Sequence, residues 1–554
     1  MLTTDTPNEQ TPGDKVLPRA TRDCPPGPGQ APSLISHPPH GPPGPGILGG
    51  VNNPDTELDL NEQMRGRLDK RNRLAAAGTE PYPHDVGPLN TLEQVRADWG
   101  HLAPGEETDE LVTVGGRVIF MRNTGKLCFA TLQGGFTADT SGERLQVMIS
   151  LAEVGETSLE AWKSDIDLGD FVTVHGRVIA SKRGELSVLA RTWRLVSKAL
   201  RPLPVLHKDL SEETRVRQRY ADLIVRPESR DMVRMRSAVM KSVRSTLDNE
   251  GFLEIETPIL QLIHGGAKAR PFRTHLNAFG IDMTLRIALE LYLKRAMVGG
   301  ADRVYEIGRI FRNEGIDSSH SAEFSMLEFY ASWEDQTSVA DITRRIIVEA
   351  AEAALGRRTV VNRGHEIDLS GDWRWAGFYD LLSEAIGESV SVETSLETLK
   401  KYAALRDVAY APTSDPGKLA MELYGELVEH SLIQPTFVCD FPAIAQPLAR
   451  PQADPRLVYA WDLIIGGMER GTGFTELIDP VVQRARLTEQ SLIASGGDPE
   501  AMLLDEDFLR ALEYGAPPMG GVGVGIDRLM MLFTDSGIRE TILFPLLRPE
   551  TVTR

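Results

Sequence analysis

The sequence contains few cysteines and no long apolar run. Only Cys24, Cys128 and Cys439 occur among 554 residues, too few and too scattered for a disulfide framework or a four-cysteine zinc site. No apolar run approaches the roughly 18 to 20 residues that cross a bilayer. The first fifteen residues lack the basic-then-apolar order of a secretory signal. We therefore expect a cytoplasmic protein with no membrane span.

Basic residues are outnumbered by acidic ones. The 60 Lys and Arg against 79 Asp and Glu give a net charge of −19, which argues against wholesale coating by nucleic acid but allows a locally basic docking face. With 41% hydrophobic and 25% charged residues, the composition is that of an ordinary globular protein. The length predicts two to four domains.

Several familiar catalytic motifs are also missing. The sequence has no G-x-x-x-x-G-K-[ST] phosphate loop, no G-x-S-x-G elbow and no H-E-x-x-H zinc motif. Gly521, Gly523 and Gly525 give G-x-G-x-G, which is not the dinucleotide fingerprint. Any nucleotide chemistry must therefore use another kind of site.

The first 109 residues divide into two parts. Residues 1–57 hold about a third of the 35 prolines, and we predict a disordered tail there because little apolar surface can be buried. Residues 58–109 form an N-terminal helical segment, in which LDLNEQMRGRLDKRNRLAAAG predicts a helix that ends at Gly78. The five basic residues of that helix are either a solvated face or phosphate contacts.

Residues 110–200 change to a period of two. Five short alternating segments separated by turns predict a small closed β-barrel of the OB kind. Such barrels commonly stack single-stranded bases on aromatic residues beside a basic groove. Phe129, with Arg117, Arg122 and Lys126 nearby, either forms such a surface or belongs to the barrel core.

The remaining chain predicts a larger mixed domain. Residues 201–229 are predicted to be a linker, residues 230–554 a domain of helices and strands, and residues 331–455 a mainly helical insertion in it. In RMRSAVMKSVRSTLDNEG, Val239, Val243 and Leu247 recur at helical spacing and Gly251 follows as a terminator.

Charged and aromatic residues recur at two-residue spacing in this domain. If the segments are extended, side chains two positions apart share one face. The shared faces hold Arg312 and Glu314; Phe324, Met326, Glu328 and Tyr330; and Thr472, Phe474 and Glu476, with Asp462 and Glu469 upstream. Buried carboxylates are costly unless cations pair with them. They therefore form either internal ion pairs or a site for a cationic substrate and Mg²⁺, which prefers oxygen ligands.

Two arginines supply the opposite charge. The planar guanidinium group of Arg312 or Arg528 can donate two parallel hydrogen bonds to two oxygens of one phosphate. His320 lies in the polar loop DSSHSAE and is either a structural histidine or a phosphate contact.

Three segments resemble the three motifs of class II aminoacyl-tRNA synthetases. They are TLDNEGFLEIETPIL, FRNEG followed by a histidine and EFSMLEFY, and GVGVGIDRLMMLF. The segments RPF, LELYLKR, RQRYADLI, SKALRPLP and DEDFLRALEYGAPP narrow the resemblance to the lysyl-tRNA synthetases of this class. The resemblance covers about residues 58 to 550.

The resemblance implies an α+β fold with an OB-fold anticodon-binding barrel and a catalytic domain built on an antiparallel sheet flanked by helices. It implies a homodimer formed partly through the first motif. The implied reaction joins L-lysine and ATP into lysyl-adenylate and transfers lysine to the 3′ end of tRNA(Lys). The lysine carboxylate attacks the α-phosphorus without a general base.

The resemblance also implies a role for each matched residue. Gly266 and Glu290 match the holders of the lysine α-ammonium, and Glu328, Tyr330, Thr472 and Glu476 match the side-chain pocket. Arg312, Glu314, His320, Phe324, Glu469 and Arg528 match ATP contacts, with Arg312 also at the lysine carboxylate and Arg528 on the adenine face opposite Phe324. Asp462 and Glu469 match ligands of up to three Mg²⁺ ions, and Phe129, Gln133 and Glu185 fall where this group reads the anticodon.

Some positions depart from the commonest family pattern. Leu289 and Ala322 replace prolines, Thr472 and Ile478 replace asparagines, and Asp462 replaces a glutamate. Residues 443–448 read AIAQPL instead of a sequence like VEVSPL. These departures leave open a catalytically weak regulatory or resistance paralogue. An aspartyl- or asparaginyl-tRNA synthetase is a second alternative, which the acidic pocket disfavours. A lysine ligase that modifies protein is a third, and the predicted barrel counts against it.

Overall fold

The computed structural model describes residues 61–204, 210–411, 414–498 and 500–549. The predicted tail at 1–57 lies outside the described residues. Within the described ranges, no helix is both long enough and apolar enough to cross a bilayer.

Two helices precede the barrel, as expected for residues 58–109. They are α1 (Glu62–Ala76) and α2 (Leu92–Trp99), and each begins at a side chain that accepts a backbone N–H, Asn61 and Thr91. The basic face of α1 is largely used within the protein. Arg67 donates to the carbonyl of Leu168 at 2.9 Å, and Lys70 pairs with Asp167 at 2.8 Å.

The five predicted strands form a closed barrel, which confirms the OB-type prediction. Its elements are β1 (Glu107–Asn123), β2 (Leu127–Gln133), β3 (Arg144–Ser150), α3 (Leu151–Val154), α4 (Glu156–Asp165), β4 (Phe171–Ala180) and β5 (Leu186–Ser197). The strand order is β1-β2-β3-β5-β4. Alternate residues such as Cys128, Ala130 and Leu132 fill the interior, so the period of two corresponds to the inside and outside of the barrel.

The segment predicted to be a linker, 201–229, is partly helical. It contains α5 (Glu212–Arg217), α6 (Arg219–Val225) and the start of α7 (Pro227–Asn249). Proline at the first position of α7 costs no hydrogen bond, because the first helical N–H groups have no partner within the helix. The helix therefore begins three residues before the predicted domain boundary.

The larger domain continues after α7 through short strands and helices. These elements are β6 (Leu253–Glu254), β7 (Leu260–Gln261), β8 (Arg273–Leu276), β9 (Ile281–Leu285), α8 (Glu290–Val298), β10 (Arg303–Phe311), β11 (Glu323–Ser332), α9 (Gln336–Leu355), β12 (Thr359–Asn362) and β13 (His365–Asp368). The rest are β14 (Arg374–Gly377), α10 (Phe378–Ile386), α11 (Leu396–Leu405), α12 (Pro416–Leu427), β15 (Thr436–Cys439), β16 (Ala460–Ile464), β17 (Glu469–Thr475), α13 (Pro480–Ser495), α14 (Glu506–Glu513), β18 (Met519–Gly525), α15 (Ile526–Thr534) and α16 (Ile538–Thr541).

Eight of these strands form one sheet in the order β14-β15-β16-β17-β18-β11-β10-β6. All neighbours are antiparallel except the outermost pair at each edge, β10 with β6 and β14 with β15. The prediction that 331–455 is a mainly helical insertion is incomplete, since β14 and β15 from that segment complete the sheet. α9 also packs in the main core beside α7.

The two faces of the sheet have different surroundings. Leu327 and Phe329 of β11 lie in the core with the predicted stripe of α7, including Val243. Glu328 and Tyr330, one position out of phase, line a cavity on the opposite face. The alternation of the strand therefore separates the hydrophobic core from the candidate site.

The barrel contacts the larger domain at the start of α7. Arg230 is buried and donates to the carbonyl of Ser141 at 2.6 Å and to the carbonyl of Leu223 at 2.8 Å. Ser141 in turn donates to Asp231 at 2.8 Å. These charge-assisted bonds connect the β2–β3 loop of the barrel to the domain that carries the cavity.

Candidate active site

A cavity of about 380 Å³ lies over β11, β17 and β18, between the start of α8 and the loop after β10. That volume falls within the range of small-molecule sites. Twelve of the thirteen predicted catalytic, substrate and metal residues line it: Gly266, Glu290, Arg312, Glu314, His320, Phe324, Glu328, Tyr330, Glu469, Thr472, Glu476 and Arg528. The other, Asp462, lies on β16 directly opposite Thr472 of β17.

One end of the cavity is acidic and buried. Glu290, Glu328 and Glu476 are each at most 5% exposed. Burial, together with the negative charge of Glu290, raises the pKa of Glu328 to about 8. Burial also raises the pKa of Glu476 to about 8, even though Lys294 lowers it. Three carboxylates in so little solvent favour a cationic ligand.

The same acidic end contains a buried lysine that the sequence analysis missed. Lys294, one helical turn after Glu290 on α8, places its Nζ 2.6 Å from Glu290 Oε1 and 2.5 Å from Glu476 Oε2. Burial alone would lower the pKa of Lys294, but the two carboxylates raise it above its ordinary value. The alternative of internal ion pairs is therefore partly correct, because one cation already belongs to the pocket.

One departure from the family pattern has a visible consequence here. The backbone N–H of Leu289 donates to Glu328 Oε1 at 2.8 Å, and a proline at that position would have no N–H to donate. The hydroxyl of Tyr330 donates to the other oxygen of Glu328 at 3.2 Å. Both oxygens of Glu328 thus accept a hydrogen bond, whereas Glu476 Oε1 has no hydrogen-bond partner.

Two glycines make room for this pocket. Gly266 has φ +87°, and a Cβ there would lie 2.9 Å from Ala288 Cβ and 3.1 Å from Glu290 Cβ. A Cβ on Gly521 would collide with Glu476 and Tyr330. The glycines of β18 are not the dinucleotide fingerprint, and the structure gives Gly521 a steric role instead.

The other end of the cavity carries the predicted nucleotide residues. The Arg312 guanidinium lies 5.3 Å from the centre of the Phe324 ring and donates to the carbonyl of Ile287 at 3.4 Å. Burial lowers the pKa of Arg312, while nearby Glu314 opposes that change. A largely buried guanidinium beside an aromatic face suits a planar, anionic ligand.

His320 and Arg528 meet at the outer part of the cavity. Arg528 Nη2 lies 3.3 Å from His320 Nε2, and Asp317 accepts at the other ring nitrogen at 2.9 Å. Arg528 also donates to the carbonyl of Glu469 at 3.2 Å. The third motif and the loop within the second thus form one polar surface.

Asp462 and Glu469 lie near each other behind this surface. Burial raises the pKa of Asp462 and the charge of Glu469 adds to the rise, while Asp462 Oδ1 has no hydrogen-bond partner. Glu429, a further acid not recognised in the sequence, accepts from the backbone N–H of Glu469 at 3.3 Å. Within the described residues, no group of three or more His, Cys, Asp or Glu is arranged to hold a metal ion.

The predicted anticodon residues are only partly brought together. Phe129 lies half-buried on the outer face of β2, and Glu185 is exposed just before β5. Gln133 is buried and donates to the carbonyl of Ile224 at 3.0 Å, which leaves its amide engaged with α6. Gln146 of β3 pairs with Thr131 and Ser187 and so lies between Phe129 and Glu185. Its amide donates to Ser187 Oγ at 2.8 Å, within the barrel.

Comparison with known families agrees with this architecture. The profile of class II tRNA synthetases (D, K and N) matches residues 211–548, and that of the OB-fold nucleic acid binding domain matches residues 112–196. The chain belongs to the class II tRNA synthetase family of the D, K and N group, and it is an aminoacyl-tRNA synthetase.

Individual relatives are more specific. A lysine--tRNA ligase of Kineococcus radiotolerans is 54% identical over 503 residues, which span 90% of this chain and 100% of that protein. A lysine--tRNA ligase of Mycobacterium bovis is 52% identical over 505 residues, 90% of this chain and 99% of that protein. A lysylphosphatidylglycerol biosynthesis bifunctional protein of Mycobacterium marinum is 46% identical over 502 residues, which span only 44% of its length.

Proposed function

We propose that this enzyme activates L-lysine with ATP and transfers it to tRNA(Lys). The observation that carries the proposal is the buried acidic pocket of Glu290, Glu328 and Glu476 at one end of a cavity whose other end holds Arg312 and Phe324. Relatives at 52–54% identity over nearly their whole length bear the same activity in their names. The chain is therefore a ligase of protein biosynthesis.

Lysine is held by charge at three places. Glu290, beside the space kept by Gly266, receives the α-ammonium group. Glu476 and Glu328, with Tyr330 between them, receive the side-chain ammonium group, and Thr472 borders the same space. The free Oε1 of Glu476 is the acceptor we assign to that ammonium group. The lysine carboxylate faces Arg312.

ATP occupies the arginine end. Phe324 stacks on the adenine, with Arg528 on the opposite face and near the γ-phosphate, and Glu314 and His320 complete the contacts. The lysine carboxylate attacks the α-phosphorus as pyrophosphate leaves, and no group must remove a proton because the carboxylate is already anionic. The protein contributes orientation and the positive charge of Arg312 at the developing negative charge.

Asp462 and Glu469 would hold Mg²⁺. The unpartnered buried oxygen of Asp462 fits a cation, and two carboxylates with phosphate oxygens and water match what Mg²⁺ prefers. The lack of a three-residue cluster in the described part of the chain agrees with ions shared between protein and phosphates. Up to three Mg²⁺ ions bound there would neutralise the negative charge of the triphosphate. Arg528 would orient the same phosphates.

The barrel would read the anticodon of the tRNA. Phe129 offers a stacking surface, Glu185 an exposed acceptor and Gln146 an amide between them. Gln133, the glutamine predicted from the sequence, is buried and its amide bonds to Ile224. We assign the role to Gln146, which is half-buried, lies between Phe129 and Glu185 and would exchange its bond to Ser187 for a base. A homodimer and a cytoplasmic location stay predictions.

The alternatives are less well supported. An aspartate or asparagine pocket needs a cation or a neutral amide facing the ligand, whereas the buried end of this cavity presents Glu290, Glu328 and Glu476, with Lys294 paired behind two of them. A weak regulatory paralogue would not need Arg312, Arg528 and all the acids in one cavity. The departures at Leu289 and 443–446 concern rate and strictness more than the class of reaction.

ATP–pyrophosphate exchange across the twenty amino acids, followed by charging of total tRNA, tests the proposal. We expect exchange with lysine above all others and charging of lysine isoacceptors. Exchange driven by aspartate or asparagine, or none with any amino acid, would refute it.

A further inference from the structure

Lys294 is the one buried cation at the acidic end that no substrate role explains. It is 1% exposed, and its Nζ lies between Glu290 Oε1 and Glu476 Oε2 at 2.6 and 2.5 Å. The Tyr330 ring centre is 6.0 Å away. Burying an ion costs free energy, so the presence of a lysine side chain in a pocket that binds ammonium groups needs an explanation.

The charges around Lys294 give that reason. Two acids contact Lys294 directly, Glu290 from α8 and Glu476 from just after β17. A third acid, Glu328 from β11, lies close to both of them. Arg312 lies further along the cavity. In the lysine complex, with Lys294 protonated and the acids ionised, the acidic end carries two net negative charges. Lysine has two ammonium groups, so the pocket with Lys294 balances the ligand, and without it would carry one charge too many.

The contacts of Glu476 give a second reason. Lys294 forms an ion pair with Oε2 of Glu476 at 2.5 Å, while Oε1 of the same carboxylate is buried, has no hydrogen-bond partner and lies against Gly521. A carboxylate fixed through one oxygen presents the other in a defined direction. A bound ammonium can therefore use Oε1 without displacing Lys294.

We propose that Lys294 is a positioning residue for amino-acid recognition: it stays in the pocket with the substrate, aims Glu476 at the substrate side chain, and sets the pocket charge to match two ammonium groups. The proposal rests on the proposed function. It assigns Lys294 no contact with the reacting atoms.

Lys294→Met tests it, with Lys198→Met as a matched control. Lys198 is a second buried lysine held between two acids, Asp167 at 2.6 Å and Asp170 at 2.7 Å, but in the barrel. Both variants should lower thermal stability. In pyrophosphate exchange, only Lys294→Met should raise the lysine KM, by roughly tenfold at pH 7, with the KM for ATP within about twofold.

The pH profile separates positioning from mere stability. Without Lys294 the pocket acids lose a neighbouring positive charge and protonate more readily, so the acidic limb of kcat/KM for lysine should move to higher pH by about one unit. Lys294→Arg, which keeps the charge, should return that limb toward its original position. An unmoved limb with an unchanged lysine KM in Lys294→Met would overturn the proposal.

A measurement on the unaltered protein covers the case in which Lys294→Met does not fold. With ¹⁵N-labelled lysine side chains, Lys294 and Lys198 should both give protected ammonium signals. Unlabelled lysine should shift the Lys294 signal and leave the Lys198 signal in place. Lysine binding that does not shift the Lys294 signal would also overturn the proposal. Glu476→Gln tells the two ideas apart: an unchanged lysine KM there would refute the lysine pocket itself, whereas a raised one with normal Lys294→Met would refute only the role of Lys294.

Discussion

At the scale of single residues, the pocket works because each buried charge has a specific neighbour. Glu328 has both oxygens bonded, to Leu289 and Tyr330, while Glu476 keeps one oxygen unbonded. Losing a charged partner in such a place costs about 1 to 3 kcal/mol or more. The difference between the two glutamates makes Glu476 the more sensitive reporter of ligand binding.

Glu476→Gln should raise the lysine KM by roughly tenfold to a hundredfold, because a neutral amide replaces the ionic partner of the substrate ammonium. The KM for ATP should change little, and exchange kinetics measure both. Glu306→Gln is the matched control, since Glu306 is buried and paired with Arg286 at 2.6 Å outside the cavity. Equal losses for lysine and ATP in Glu476→Gln would indicate misfolding instead.

Lysine binding should also depend on pH in a definite direction. Burial raises the pKa of both Glu328 and Glu476 to about 8, so the free enzyme at pH 7 holds protons on these acids that an incoming ammonium group must displace. Lysine affinity should therefore rise between about pH 6 and pH 8, with protons released on binding. Calorimetry in two buffers of different ionisation enthalpy checks this, and proton uptake would contradict it.

At the scale of elements, the out-of-phase alternation of β11 and the glycines of β18 create the site. Tyr330 pairs with Gly521 and Glu328 with Gly523 across these strands, so large side chains on one strand face empty positions on the next. The period of two and the three motifs were readable in the sequence, and the placement of Arg312, Glu328 and Glu476 on one cavity followed from them.

Other parts could not be predicted from the sequence. Lys294 reads as one of two adjacent basic residues on a helix, and only the fold shows that it points at Glu476 from another strand. The strands β14 and β15 are four residues each, too short among helices to reveal that they extend the sheet. Gln133 and Gln146 both lie on barrel strands, and only the contact with Ile224 distinguishes them.

Gly521→Ala should abolish lysine-dependent exchange while the protein still folds, because the added Cβ would strike Glu476 and Tyr330. Gly525→Ala on the same strand should be much milder, since its Cβ would make an ordinary contact of 3.5 Å with Arg528 Cβ. Exchange and thermal unfolding of both variants test this. Normal pyrophosphate exchange in Gly521→Ala would contradict this, because it would show that the pocket accommodates a Cβ at this position.

At the scale of the whole molecule, the chain joins a barrel and a catalytic domain through Arg230 and its contacts with Ser141 and Leu223. The two parts carry separate tasks, because the cavity residues all lie in the catalytic domain and the proposed anticodon residues all lie in the barrel. Amino-acid activation and tRNA recognition should therefore respond to different substitutions.

Gln146→Ala should raise the KM for tRNA in aminoacylation without changing pyrophosphate exchange, because it removes a half-buried amide of the barrel whose bond to Ser187 lies far from the cavity. Gln133→Ala should instead lower thermal stability, since it removes the bond to Ile224 at 3.0 Å. Charging assays and melting curves distinguish these effects. A raised tRNA KM for Gln133→Ala alone would return the anticodon role to that residue.

The most direct test of the lysine pocket is a crystal structure with L-lysine and a non-hydrolysable ATP analogue. We expect the lysine side-chain ammonium group at Glu476 Oε1, the lysine carboxylate at Arg312 and the adenine on Phe324. Lysine bound elsewhere, with Glu476 and Glu328 satisfied only by groups of the protein, would contradict it.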